Sequence, residues 1–209
     1  SISLPIAAPA HTPASAVRFG CEIENTLDEL TATLPHTDFT PSLVSDLRQA
    51  YARGNGLVDS FAMWLEQLLG ELGLIVFNAS DPAAKPLVRE LFVREINSAG
   101  TTSLLAERAG ERLRQAGFHS QVSPSPDSVA LFLQDGTRRS IRTDGGSLRI
   151  GDESMEPRAL LNRLRSDASC LSPNVLLRPI VQDRLFPTVC YVAGPNELAY
   201  LAQLKGVYQ

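Results

Sequence analysis

SPNVLLRPIVQDRLFPTVCYVAGPNELAYLAQLKGVYQ, residues 172–209, decides the fold because it reads as helix, strand, tight turn, helix. Thr188 to Val192 is rich in β-branched and aromatic residues and predicts a strand. Ala193-Gly194-Pro195-Asn196 breaks it, and apolar residues recur at helical spacing from Glu197 onward. The break therefore falls at a helix N-terminus, where free N–H groups and the helix dipole favour a carboxylate or phosphate. Gly194, Asn196, Glu197, Tyr200 and Gln203 are the candidate binding residues of this block, and the competing reading is an unoccupied strand-to-helix connection. A preceding helix runs from Asn174 or Val175 to Leu185, and Pro179 implies a kink or a helix start. Asn174, Arg178, Gln182 and Asp183 are its polar residues. Arg178 and Gln182 are one turn apart, and the arginine suits bidentate grip of an oxyanion. The alternative is that Arg178 and Asp183 are solvated or join a salt bridge.

Upstream, the period is helical first. Helices are expected from Cys21 to Leu34, from Thr40 (N-cap) and Pro41 past Tyr51, and from Leu57 to Leu72 with Gly73 as a left-handed cap. Leu74 to Phe77 is a continuous apolar run, as in a strand buried on both faces, and Asp81-Pro82 then opens a helix reaching Asn97. Another helix spans Ser103 to Ala116 and ends at Gly117. Residues 118–150 change character: strands at Phe118–Val122, Ser128–Leu133, Thr137–Thr143 and Ser147–Ile150 alternate with turns at Asp135-Gly136 and Asp144-Gly145-Gly146. Helix returns at Pro157–Arg165. The expected organisation is an extended or mobile lead-in (1–20), a helix-rich α/β part (21–117), a small antiparallel β insertion (118–150) and a return to the α/β core (151–209). The fold class is α/β, with an antiparallel connecting subdomain inserted in a Rossmann-like core.

Composition sets outer limits. The chain has 209 residues, 44% hydrophobic and 20% charged, the balance of an ordinary globular protein, and no apolar run nears the roughly 20 residues of a membrane span. A net charge of -4 argues against nucleic acid as a partner. Cys21, Cys170 and Cys190 are widely spaced and odd in number, which indicates neither a disulfide framework nor a zinc site and fits a cytoplasmic location. Cys190, in an apolar run, reads as a small buried hydrophobe. His11, His36 and His119 show no metal-ligand spacing, so no metal site is expected, and no GxGxxG or P-loop occurs. Arg138-Arg139 and the arginines of 158–165 read as solvated faces, with contact to an anionic ligand or another domain as the alternative. The chain opens without an initiator Met or a basic leader region, and both ends read as limits of a fragment.

Two blocks carry a resemblance: SPNVLLRPIVQD, Ser172 to Asp183, and Pro187-Thr188 running into GPNELAYLAQLK, Gly194 to Lys205. They resemble the bacillithiol biosynthesis cysteine-adding enzyme family, the cysteine ligases, with weaker similarity through TDFTPSL, Phe61-Ala62-Met63-Trp64, GLIVFNASDP and AGFHSQV. The resemblance covers nearly all of this chain but only the middle of a family member. It implies a nucleotidyltransferase-like Rossmann core with connecting segments, followed in family members by a helical coiled-coil part. It also implies joining of cysteine, through its carboxyl, to the amine of glucosaminyl malate, in a protein for which a homodimer is one expected state.

Amide formation is uphill without activation of the carboxylate, so an adenine nucleotide is a candidate cofactor, while the cofactor itself stays unknown. Family members carry a TGQQ-type segment and a His-Asp-bearing segment that this chain lacks. The expectation is thus a fragment that folds at least partly, binds a ligand weakly and turns nothing over. Two other classes stand beside it: a Rossmann-like nucleotide binder, and a protein-interaction module docking through the 118–150 strands.

Overall fold

The structure, a computed structural model, describes residues 16–208. The first fifteen residues of the lead-in, with His11, lie outside the described residues. The chain divides into two compact units, one running through Ser80 and the other from Asp81.

The first unit is helical. Helix α1 (Glu22–Thr33), α2 (Thr40–Ala50) and α3 (Leu57–Leu69) follow the apolar periodicity of the sequence. Phe19, Ile23 and Leu27 form a small buried cluster, with Leu30, Leu47, Tyr51 and Leu57 packed against it. The lead-in's last residues are held there: Phe19 exchanges backbone hydrogen bonds with Gly54 and Asn55, and Leu57 donates to Val17. Thr40 is not the N-cap of α2. Phe39 takes that position, and the Thr40 hydroxyl turns back to the Pro35 carbonyl at 2.7 Å, so the cap is a loop closure. A 3-10 turn, Gly70–Leu72, extends α3 and stops at Gly73, whose φ of +85° suits glycine.

The second unit holds the sheet. Asp81 caps a 3-10 segment, Pro82–Val88, by accepting from the Ala83 N–H at 2.9 Å. Helices α4 (Arg89–Ser98) and α5 (Thr101–Gln115) follow, then β1 (Ser128–Gln134), β2 (Arg138–Asp144), β3 (Ser147–Ile150), β4 (Glu153–Met155), α6 (Pro157–Ser166), β5 (Leu171–Pro173), α7 (Arg178–Leu185) and α8 (Pro195–Leu201). The strand order is β4-β3-β2-β1-β5, and every pairing is antiparallel. The β1–β2 and β2–β3 turns use Gly136, Gly145 and Gly146 at positive φ, as the Asp-Gly signals required.

Strand β1 lies between β2 and β5, with Val129, Ala130, Leu131 and Leu133 all buried, whereas β2 buries only Ile141. Helices α4 and α5 pack on β1, and Phe92, Ile96, Leu131, Leu133, Leu148, Leu160 and Leu164 are each at most 1% exposed. Each such side chain is worth about 1.5–3 kcal/mol on burial, against roughly 0–1 kcal/mol for a surface ion pair. Apolar packing therefore holds this unit, and its ion pairs decorate it.

Three expected strands do not form. Leu74–Phe77 adopts no strand and Ile75 is 85% exposed: apolar content alone does not make a strand, which exists only as part of a ladder. Thr188–Val192 likewise forms no strand, with Val189 and Val192 almost fully exposed. Cys190 is exposed, not buried, because its strand is missing. Phe118–Val122 is a loop, and a side chain supplies its pairing, as described below.

Candidate functional site

The two polar sets of the terminal block meet at one place. Asn174 leads into α7: its Oδ1 accepts from the N–H groups of Leu176 at 2.9 Å and Leu177 at 3.3 Å, and its carbonyl accepts from Arg178. This Asx turn delays the helix start to Arg178, three or four residues later than the periodicity suggests. Arg178 consequently sits on the first turn of α7, where Pro179 fits without loss of a backbone bond.

From there the Arg178 guanidinium reaches α8. Its Nη2 donates to the Tyr200 hydroxyl, to Glu197 Oε1 at 3.4 Å and to the Tyr191 hydroxyl at 3.5 Å. Both phenols also donate to Glu197 Oε1, Tyr191 at 3.3 Å and Tyr200 at 3.4 Å. Glu197 and Tyr200 are three residues apart on α8 and so share a face. Tyr200 is 9% exposed, whereas the Arg178 and Glu197 side chains are 42% and 44% exposed, so the phenol forms the floor and the charges the mouth. Burial works against the Arg178 charge, but the Tyr191 and Tyr200 hydroxyls outweigh it and hold the guanidinium above the ordinary arginine value. Burial also pushes the Tyr200 phenol up, against the pull of Arg178. The result is one cation and one carboxylate side by side with two neutral hydroxyls, an arrangement that complements a ligand bearing both a carboxylate and an amine.

The other expected residues are placed differently. Asp183 is exposed and lies beside the Tyr208 hydroxyl; burial and that carboxylate push the phenol up to about 12. Gln182 is half-buried on α7. Gly194 and Asn196 are exposed at the start of α8, where Pro195 removes one N–H and Leu198 donates to the Gly194 carbonyl. The anion cradle at that turn is correspondingly small. Gln203 is fully buried and bonds the 121–122 loop, not Arg178. Its Oε1 accepts from Gln121 N–H at 3.0 Å and Val122 N–H at 2.9 Å, and its Nε2 donates to the Val122 carbonyl at 2.8 Å. It does for the 118–122 loop what a neighbouring strand would do.

Two polar residues escaped the sequence reading. Tyr191 falls within the expected strand Thr188–Val192, and its role depends on that strand not forming. Glu95 is 3% exposed, accepts from the Ala130 N–H at 2.7 Å and takes the Thr102 hydroxyl bond, tying α4 to β1 and α5. Its signal was present: it lies on the apolar stripe of Phe92 and Ile96 at helical spacing. No group of three or more His, Cys, Asp or Glu is arranged for a metal ion among the described residues, and none of their helices is long and apolar enough to cross a membrane.

Known proteins share this terminal block and the sequence around it. A family model described as bacillithiol biosynthesis BshC, N-terminal Rossmann-like domain, matches residues 3–209. The chain belongs to the BshC family. Similar relatives include the "Putative cysteine ligase BshC" of Salinibacter ruber, 38% identical over 188 residues, covering 89% of this chain and 34% of the relative. Proteins of the same name from Koribacter versatilis, 34% identical over 94% of this chain and 36% of the relative, and Geobacillus thermodenitrificans, 33% identical over 87% and 34%, are also similar. The chain spans about a third of the length of these BshC relatives. The α/β class and the Rossmann-like assignment agree with the family's description. The five-stranded antiparallel sheet is the part of that α/β architecture that forms among the described residues of this BshC chain.

Proposed function

We infer that this chain contributes one wall of the substrate site of an amide-forming ligase, which joins the carboxyl of cysteine to the amine of glucosaminyl malate in bacillithiol synthesis. The observation that carries the inference is the Arg178–Glu197 pair with its two phenols, set in the block that resembles the family most closely. Both substrates carry a carboxylate and an amine, so Arg178 would take the first and Glu197 the second, with Tyr191 and Tyr200 fixing their orientation. Asn174 holds Arg178 at the helix start. Gln182, Asp183, Gly194 and Asn196 form the rim on either side, and Gln203 supports the wall from behind. The full-length protein would work in the reducing cytoplasm, where its thiol substrate survives, and as a homodimer.

Activation of the cysteine carboxylate and completion of the site are assigned to parts of the longer protein. This chain alone therefore binds weakly and does not turn over. Titration calorimetry of the 209-residue chain with cysteine, malate and an adenine nucleotide tests the assignment: cysteine or malate should release heat that Arg178→Ala abolishes. Heat from the nucleotide alone would favour the nucleotide-binding reading. Amide product formed by this chain from cysteine and glucosaminyl malate would refute the shared site.

A further inference from the structure

Helix α5 and the residues that follow α8 enclose a groove of about 340 Å³. Ala109, Arg112 and Leu113, one face of α5 at helical spacing, line one wall, and Ala202, Lys205 and Gly206 line the other. Close packing holds the two walls together. A Cβ at Gly110 would lie 2.8 Å from Gln203 Nε2 and 2.7 Å from Ser120 Oγ, so glycine at that position lets α5 approach the Gln203 clip. Leu105 of α5 lies against Gly206, where a Cβ would sit 3.7 Å from Leu105 Cδ2, and Leu204 is fully buried.

The groove has an apolar floor and a basic mouth. Ala109 is buried and Leu113 and Gly206 are half-buried, whereas Arg112 and Lys205 are exposed, and no carboxylate lines the groove. Neither cation is spent within the chain. Among the described residues neither side chain has a hydrogen-bond acceptor or an ion-pair partner, and no Asp or Glu stands three or four positions from either in the sequence. Arg114, two residues beyond Arg112, is by contrast paired with Glu107 at 2.9 Å. Ligand pockets of roughly 300–1,000 Å³ are mostly apolar with a few convergent polar groups, and here both of those side-chain groups are cations.

We propose that this groove binds a small organic oxyanion with an apolar body, the chemistry shared by an aryl phosphate and an aryl carboxylate. Arg112 supplies a planar fork and Lys205 a point charge to the oxygens, while the apolar body lies against Ala109, Leu113 and Ala202. The groove shares no residue with the Arg178 cluster and does not rest on the ligase reading.

Calorimetric titration of the 209-residue chain with phenyl phosphate and benzoate tests it, with inorganic phosphate and benzyl alcohol as the charged and apolar halves of such a ligand. At least one of the two aryl anions should bind, and which one does so identifies the head group. Each half alone should bind at least about tenfold more weakly. Ala202→Leu, at an exposed position, should fill the groove and cost at least about tenfold in affinity with the melting temperature unchanged. Lys205→Met and Arg112→Met should each cost at least about fivefold, and Lys205→Arg should retain binding, which guards against a variant that simply fails to fold. Arg178→Ala should leave this binding unchanged, and its loss there would move the anion to the other cluster and overturn the groove. Inorganic phosphate bound as tightly as phenyl phosphate, undiminished binding in Ala202→Leu or Lys205→Met, or no binding of either aryl anion would overturn it as well.

Discussion

Arg178 and Tyr200, 22 positions apart in the chain, are joined by a hydrogen bond from the guanidinium to the phenol that links the start of α7 to α8. Because Tyr200 is buried and Arg178 is half-exposed, the bond anchors a cation from beneath and leaves its outer face to a ligand. Substitutions here should separate binding from stability. The Arg178–Glu197 pair is too solvated to stabilise much, so a double-mutant cycle read by urea denaturation should give a coupling of at most about 1 kcal/mol. Ligand affinity should fall at least about tenfold in Arg178→Ala, as the loss of a charge-assisted hydrogen bond requires.

Gln203 should behave in the opposite way. Gln203→Ala leaves the Gln121 and Val122 N–H groups without partners and the Val122 carbonyl with the Ser120 hydroxyl at 3.2 Å, at a cost of about 2–4 kcal/mol in urea unfolding. The amide proton of Val122 should then exchange faster than in the unsubstituted chain. A stability within about 0.5 kcal/mol of the original would show that the loop does not depend on this clip.

Stability should fall in alkaline solution. Burial, assisted by Asp183, raises the Tyr208 phenol from 10.0 to about 12 in the folded chain. The folded state therefore keeps a proton that the unfolded chain releases, so the contribution is fully present below pH 10 and is lost as pH rises from about 10 to about 12. Tyr51 and Tyr200 are shifted in the same direction, burial being the main cause in each. Tyr208→Phe should thus flatten only part of the alkaline decline, and a phenolate absorbance titration should lose its latest step.

The three thiols should label in two classes. Cys21 and Cys190 are exposed and should react with a maleimide in the native chain, whereas Cys170 is buried, which also pushes its thiol up, and should react only on unfolding. Slow labelling of Cys190 under native conditions would mean that the 188–192 segment is covered after all.

Local signals were readable wherever the structure is local. Asp81 capping the turn at Pro82, Gly73 ending the third helix, and the Asp-Gly turns between β1, β2 and β3 were all visible, because each depends on a few neighbouring residues. The site was half visible. Arg178, Glu197 and Tyr200 could be chosen as polar residues at helical spacing, but Tyr191 could not, since its hydroxyl is placed by a connection that was expected to be a strand. Gln203 has the same helical spacing, yet its amide bonds the backbone at 121–122, because which way a helical side chain faces depends on what packs beside it.

The sequence by itself determined the α/β class, the helix periods, the hairpin turns and the family, all of which rest on residue spacing and residue type. Only the tertiary structure decided which apolar runs became strands. Ser128–Gln134 joined a ladder on both edges, whereas Leu74–Phe77 and Thr188–Val192 form no strand among the described residues, although all three are apolar or β-branched. A helix satisfies its backbone within its own segment, whereas a strand needs hydrogen bonds from another one, and no local pattern states whether that neighbour is there.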